Sequence, residues 1–161
     1  MGGVWPGTAE ELTRRVPAAA QYRPSTVKSM AEAYLLWAGR FGLDTRVLWA
    51  QMLLETNGLR FGGEVAPALW NFCGLRRPDG SGFYSFDTPL DGVIAHVAHM
   101  AVHALPACPA EWTNYCVSDP KHPAKHWNDV KVIGDLEKGS TAWCPTPGYA
   151  ARICRVWNDG V

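Results

Sequence analysis

Apolar residues recur every three to four positions from residue 25 onward, and this spacing predicts an amphipathic α-helix. The predicted helix begins at Ser25 and ends at Gly42, because glycine readily adopts the left-handed backbone that closes a helix. Its apolar positions are Val27, Met30, Ala31, Tyr34, Leu35, Ala38 and Phe41. One face of this helix should therefore lie in the core.

A second predicted helix follows and places an acidic residue at its C-terminal end. Asp44 can cap its first turn, and Asn57-Gly58 breaks it after about Thr56. Glu55 should therefore lie at the negative end of the helix dipole, which disfavours a carboxylate by roughly 0.3 to 1 kcal/mol.

Shorter helix signals stand on either side of these two helices. Residues 1–24 form a predicted arm packed on the body, with a brief helix opened by the capping box Thr8-Ala9-Glu10-Glu11. Thr88 caps a helix with Pro89 in its first turn, which runs to about Ala104. The remaining predictions are helix fragments over 106–131 and short helices over 132–137 and 148–157.

A change of pattern between the helices predicts a small β-hairpin. Residues 69–75 and 83–86 are rich in aromatic and apolar side chains, and residues 78–82 between them carry a Pro-Asp-Gly turn signal. The expected fold class is therefore α+β. A mostly helical single domain over residues 25–161 carries a small antiparallel hairpin that forms one wall of a cleft.

Composition and charge narrow the class of ligand. Of the 161 residues, 47% are hydrophobic and 19% are charged, which is typical of one globular domain that folds without a metal. Fifteen basic and fifteen acidic residues cancel, so no overall field favours binding to nucleic acid. The eight Trp residues suit a sugar ligand, because aromatic faces stack on sugar rings.

Targeting signals and cysteines add little. No apolar run reaches the roughly 18 residues that span a membrane, and the first residues lack the charged start and apolar stretch of a signal peptide. We therefore expect synthesis in the cytoplasm, a monomer and no cofactor. The five cysteines are odd in number, and we expect them to be mostly reduced and buried.

Glu55 has the expected properties of a general acid. Apolar residues precede it, so burial and the helix dipole should both raise its pKa toward neutrality. Gln51 lies one turn earlier on the same helix face, where it can contact Glu55 or a shared ligand. The alternative interpretation is an exposed glutamate at a helix end.

Four segments in a fixed order extend this local pattern. They are Ala50-Gln51-Met52-Leu53-Leu54-Glu55-Thr56, Asn71-Phe72-Cys73-Gly74-Leu75, Phe83-Tyr84-Ser85-Phe86 and Pro147-Gly148-Tyr149-Ala150. Over about residues 45–157 they resemble the glucosaminidases of glycoside hydrolase family 73, found in bacterial autolysins and phage endolysins. The resemblance implies a lysozyme-like fold and an endo-β-N-acetylglucosaminidase that cleaves the peptidoglycan glycan strand at the cell wall.

The resemblance also implies roles for individual residues. Glu55 is the general acid, and Tyr149 lines the site beside the scissile bond. Asn71 and Gly74 shape the floor of the cleft. The candidate substrate-binding residues are Gln51, Trp70, Asn71, Gly74 and Tyr84. Family members commonly carry a second carboxylate on a longer hairpin, for which Asp79 at the turn and Asp87 at the hairpin's exit are the candidates here. Without one, the substrate's own N-acetyl group can serve as nucleophile.

Several residues leave other functions open. A metal could bind the helix face with His96, His99 and His103, or a zinc site of Cys108, Cys116, His122 and His126, although these cysteines lie further apart than the usual two to four residues. Cys73 beside a histidine is the candidate nucleophile of a cysteine hydrolase. A muramidase of the same fold and a non-catalytic wall-binding module are further alternatives, and an altered Glu55 would identify the latter.

Overall fold

The computed structural model describes residues 2–77, 79–107, 129–139 and 143–161. Within these ranges the α-helices are α1 (Ala9–Thr13), α2 (Pro24–Phe41), α3 (Thr45–Glu55), α4 (Pro89–Ala104) and α5 (Tyr149–Asp159). Two 3-10 helices cover Pro67–Leu69 and Ile133–Glu137. The described part of the chain is therefore mostly helical, which confirms the predicted class in that respect.

The predicted capping residues set the helix ends. The Thr8 side chain accepts a hydrogen bond from the Glu11 backbone, and the Glu11 side chain accepts one from Thr8 in return. Gly42 closes α2 in the left-handed conformation with φ 66°. Asp44 and Thr88 cap α3 and α4 through their side-chain oxygens. Local chemistry therefore decides where these helices begin and end.

Helix α2 lies at the centre of the packing. It contacts α1, α3 and α4, while α3 packs against α5. Leu12 of α1, Tyr34 of α2 and Trp49 of α3 are fully buried in one hydrophobic core. Among the described helices, none is long and apolar enough to cross a membrane. The α3–α5 contact matters most here, because it brings the end of α3 to the start of α5.

The predicted β-hairpin is wrong as a sheet element. The chain does reverse there, with an isolated antiparallel bridge between Arg76 and Phe83, but the described residues hold no strand. Trp70 adopts a left-handed φ of 51°, which interrupts an extended backbone. The Asn71 side chain also bonds backbone groups of Leu75 and Tyr84. A folded loop therefore replaces the ladder.

The C-terminal part differs from prediction only in detail. The short helix expected over 132–137 is a 3-10 helix, Ile133–Glu137. The last helix extends to Asp159 instead of ending near residue 157. The helix fragments expected over 106–131 fall largely outside the described residues, as do Cys108, Cys116, His122 and His126.

Candidate active site

A cleft of about 630 Å³ opens at the C-terminal end of α3, within the usual size range of ligand sites. The end of α3 and the residues after it form one wall. The folded loop between Gly62 and Phe83 forms the other. The lining residues with polar or aromatic side chains include Glu55, Asn57, Glu64, Arg76, Phe83 and Trp143.

Glu55 lies in this cleft, as its position at the helix end predicts. Glu55 is exposed to solvent, as the alternative interpretation of a glutamate at a helix end expects, although the protein atoms near its carboxyl group still shift its pKa. Burial raises the pKa of Glu55, while the hydrogen bond from Tyr149 and the positive charge of Arg152 act in the opposite direction. The net effect is a raised pKa, which helps the side chain to keep a proton for transfer.

Tyr149 is the direct hydrogen-bond partner of this carboxyl group. It is the first residue of α5, its ring is buried, and its hydroxyl donates to Glu55 Oε1. Burial and the nearby Glu55 charge raise the pKa of Tyr149 well above its usual value, so the hydroxyl stays protonated and remains a donor. The structure therefore brings together two residues that lie far apart in the sequence.

Gln51 supports this pair from inside the core. It is fully buried, and its Nε2 donates to Tyr149 Oη at 2.9 Å. Its Oε1 lies 3.0 Å from His96 Nε2. Gln51 shares a helix face with Glu55 as expected, but because it is buried it acts through Tyr149 instead of touching a ligand. His96 is a supporting residue that the sequence pattern did not indicate for this role.

Thr56 turns the chain from α3 into the cleft wall. Its hydroxyl donates to the Met52 carbonyl at 2.7 Å and accepts from the Leu59 backbone N–H at 3.0 Å. Asn57, Leu59 and Phe61 all have left-handed backbones, with φ of 51°, 60° and 57°. The hydroxyl thus stabilises a tight loop that few side chains adopt freely.

Asn71 and Gly74 shape the opposite wall in different ways. Asn71 is buried and bonds the Leu75 N–H at 3.0 Å, the Leu75 carbonyl at 2.9 Å and the Tyr84 carbonyl at 3.0 Å. Gly74 lines the cleft with φ 67°, and a Cβ on it would lie 3.9 Å from Glu55 Oε2. Asn71 therefore holds the loop, while Gly74 faces the carboxyl group.

The aromatic residues of the cleft are not the ones predicted. Trp70 packs on Tyr22, with ring centroids 4.8 Å apart, and Tyr84 packs beside Cys73 and Leu75. Phe83 and Trp143 line the cleft instead. Phe83 lies next to the predicted Tyr84 in the sequence, so the prediction chose the wrong one of two adjacent aromatic side chains. No sequence signal pointed to Trp143.

Neither of the two predicted candidates for a second carboxylate, Asp79 and Asp87, is among the residues that line the cleft. Asp79 is exposed at a turn, where its carboxylate accepts hydrogen bonds from the Ser81 backbone at 2.9 Å and hydroxyl at 2.7 Å. The Ser81 backbone bond is the main reason that its pKa is lowered. Glu64 lines the cleft and forms an ion pair with Arg76. Sequence reasoning missed Glu64, which lies in a glycine-rich loop without a motif. Asp87 is exposed.

The histidine face of α4 is buried against Trp143. The rings of His96, His99 and His103 lie 5.8, 4.8 and 5.4 Å from the Trp143 ring. No group of three metal-ligating residues occurs within the described ranges. Cys73 is buried at the cleft wall and, like Cys144 and Cys154, is not in a disulfide.

The arrangement can transfer a proton from the Glu55 carboxyl group to a ligand in an open cleft that Glu64 also lines. No protein-family model, no curated protein and no solved structure matches the chain. The geometry of the cleft is therefore the basis for assigning a function.

Proposed function

We propose that the chain is a peptidoglycan hydrolase with a lysozyme-like fold, which cleaves the β-1,4 glycosidic bond as an endo-β-N-acetylglucosaminidase. The observation that carries this proposal is the Glu55 carboxyl group, with its raised pKa, bonded by Tyr149 in a cleft of sugar-binding size. The order of motifs that resembles glycoside hydrolase family 73 supports the same reaction. The bacterial cell wall is the expected site of action, and the protein is expected to act as a monomer.

Glu55 supplies the proton in this reaction. Its neutral carboxyl group donates to the glycosidic oxygen as the bond to the anomeric carbon breaks, so the leaving sugar departs as a neutral alcohol. Glu55 becomes a carboxylate, which the Tyr149 hydroxyl and the Arg152 charge stabilise. Water completes the reaction and returns a proton.

Glu64 is the proposed second carboxylate. It lines the same cleft and forms an ion pair with Arg76. An ionised carboxylate can attack the anomeric carbon or activate the water that does. Phe83 and Trp143 offer aromatic surface for the sugar rings on either side.

Digestion of purified cell walls tests the proposal. We expect new reducing ends that, after borohydride reduction and acid hydrolysis, are recovered as reduced N-acetylglucosamine derivatives. Reduced muramic acid would identify a muramidase of the same fold instead. Release of neither product would contradict a glycosidase and favour a wall-binding module.

Glu55→Gln is the matched control for this digestion. The amide keeps the shape of the side chain but has no acidic proton to transfer, so activity should fall by about 10² to 10⁴-fold. Circular dichroism should be unchanged. Full activity in this variant would contradict the role of Glu55 even if the wall is digested.

A further inference from the structure

A continuous chain of buried hydrogen bonds runs from the core to the cleft. Tyr34 Oη lies 2.7 Å from His96 Nδ1, and His96 Nε2 lies 3.0 Å from Gln51 Oε1. Gln51 Nε2 then donates to Tyr149 Oη at 2.9 Å, and Tyr149 donates to Glu55 Oε1. It joins helices α2, α4, α3 and α5. The first four side chains are at most 2% exposed.

The chain has one favourable direction. If Tyr34 donates to Nδ1, His96 carries its proton on Nε2, the Gln51 oxygen accepts it, and the Tyr149 proton is left for Glu55. In the reverse direction His96 would donate to Tyr34, and Tyr34 has no other hydrogen-bond partner in the described part of the chain. Its buried hydroxyl proton would then be unsatisfied, which is costly.

This direction determines which oxygen of Glu55 carries the transferable proton. Oε1 accepts from Tyr149, so the proton of neutral Glu55 belongs on Oε2. Oε2 is the oxygen nearest to Gly74 at the cleft wall. In the reverse direction Glu55 would instead donate its proton to Tyr149, and that proton would not face the cleft.

We propose that His96 is a positioning residue for Glu55: through Gln51 and Tyr149 it fixes a hydrogen bond to Oε1 and leaves the proton of Oε2 facing the cleft. The catalytic consequence rests on the proposed function, while the effect on the proton does not. Burial lowers the pKa of His96 to about 3, so it acts as a neutral imidazole throughout the working pH range.

Other ionisable groups around the chain are few within the described residues. Arg152 of α5 acts on Glu55, and Glu64 and Arg76 lie across the cleft. Cys144 contributes to the raised pKa of Tyr149, and Cys73 to that of Tyr34. His99 contributes to the lowered pKa of His96.

The first test uses the unaltered protein. Long-range ¹⁵N–¹H spectra should show His96 neutral, with its proton on Nε2, from pH 5 to 8. A proton on Nδ1, or an imidazolium in this range, would overturn the proposal. This measurement needs no variant and so does not depend on how a substitution folds.

The second test measures the pKa of Glu55 by ¹³C titration of the side-chain carboxyls, with Glu55→Gln identifying the signal. In His96→Phe the Gln51 amide can rotate and Tyr149 loses its fixed direction, so the pKa of Glu55 should rise by about one pH unit. His96→Gln, which restores an N–H near Nε2, should reverse most of this shift. His99→Gln, one turn along the same helix, is the matched control and should cause none.

Activity on cell walls separates this inference from the proposed function. We expect the alkaline limb of the kcat profile to move up with the pKa of Glu55 in His96→Phe, while kcat falls. A lower melting temperature with no change in pKa would show a merely structural role and overturn the proposal. A shifted pKa in a protein that cleaves no glycan would instead leave His96 as proposed and contradict the hydrolase function.

Discussion

One wall of the cleft is built from helix ends, and the other from a folded loop. Glu55 and its partner Tyr149 belong to α3 and α5, and buried side chains hold them in place. Glu64, Arg76 and Phe83 lie on loops, and the Glu64–Arg76 pair is exposed, with 73% and 56% of the two side chains accessible.

The two walls give their carboxyl groups different surroundings. A raised pKa requires protein atoms around the carboxyl group, which helix packing provides at Glu55. Glu64, in contrast, is exposed on the loop and pairs with Arg76. The two carboxyl groups of the cleft therefore differ in their surroundings: Glu55 is bonded by a buried tyrosine, and Glu64 is paired with an exposed arginine.

Among changes to the loop wall, the largest effect should come from neutralising Glu64. Glu64→Gln should lower wall digestion by about 10² to 10⁴-fold, because the cleft loses its second charge. Asp79→Asn is the matched control, because Asp79 lies on the exposed turn of the same loop. Equal losses in the two variants, or activity retained in Glu64→Gln, would remove Glu64 from the mechanism and favour the substrate's N-acetyl group.

The attachment of the loop wall to the helices can be broken at Gly92. A Cβ on Gly92 of α4 would lie 1.9 Å from the Trp70 carbonyl oxygen, so Gly92→Ala should destabilise the protein by about 1 to 3 kcal/mol. Gly39→Ala in α2 is the control, since its nearest neighbour is 4.0 Å away. Chemical denaturation measures both free energies of unfolding. A neutral Gly92→Ala would show that the loop moves freely relative to α4.

A substitution at Gly74 tests how closely the loop wall approaches the Glu55 carboxyl group. Gly74→Ala should cost about 1 kcal/mol through its left-handed φ of 67°. It should also lower activity, because the added methyl lies beside Glu55 Oε2. Gly80→Ala has a similar φ of 76° but open space around its Cβ, so it should share the loss of stability and keep full activity. Equal activities would show that substrate does not pass between Gly74 and Glu55.

The smallest expected effect is a change in how the melting temperature depends on pH. Because burial raises the pKa of Glu55, folding favours its neutral form, and this contribution is lost as pH rises through the folded pKa. Glu55→Gln should therefore gain melting temperature relative to the unaltered protein between pH 4 and 8. Since the carboxyl group still reaches solvent, the gain should be on the order of one or two degrees. If the melting temperatures of the two proteins changed with pH in parallel, the raised pKa of Glu55 would be contradicted.

The sequence by itself determined the main helices and the position of Glu55 at a helix end. Thr8, Gly42, Asp44 and Thr88 act through their own local chemistry, so the helix ends they set were predictable. Glu55 at the end of α3 followed from the same local pattern, since a helix end depends on residues a few positions away. The predicted function rested on the resemblance of four short segments to glycoside hydrolase family 73.

Tertiary structure decided what depends on distant residues. The loop between residues 69 and 86 is not a hairpin, because Asn71 and Trp70 take conformations that strand periodicity does not encode. Glu64 lines the cleft just beyond the turn that Thr56 and the left-handed residues after it form. His96 joins Gln51 through the packing of α4 on the core, 45 residues away in sequence. Such contacts are set by how helices pack, and one chain's local pattern does not contain them.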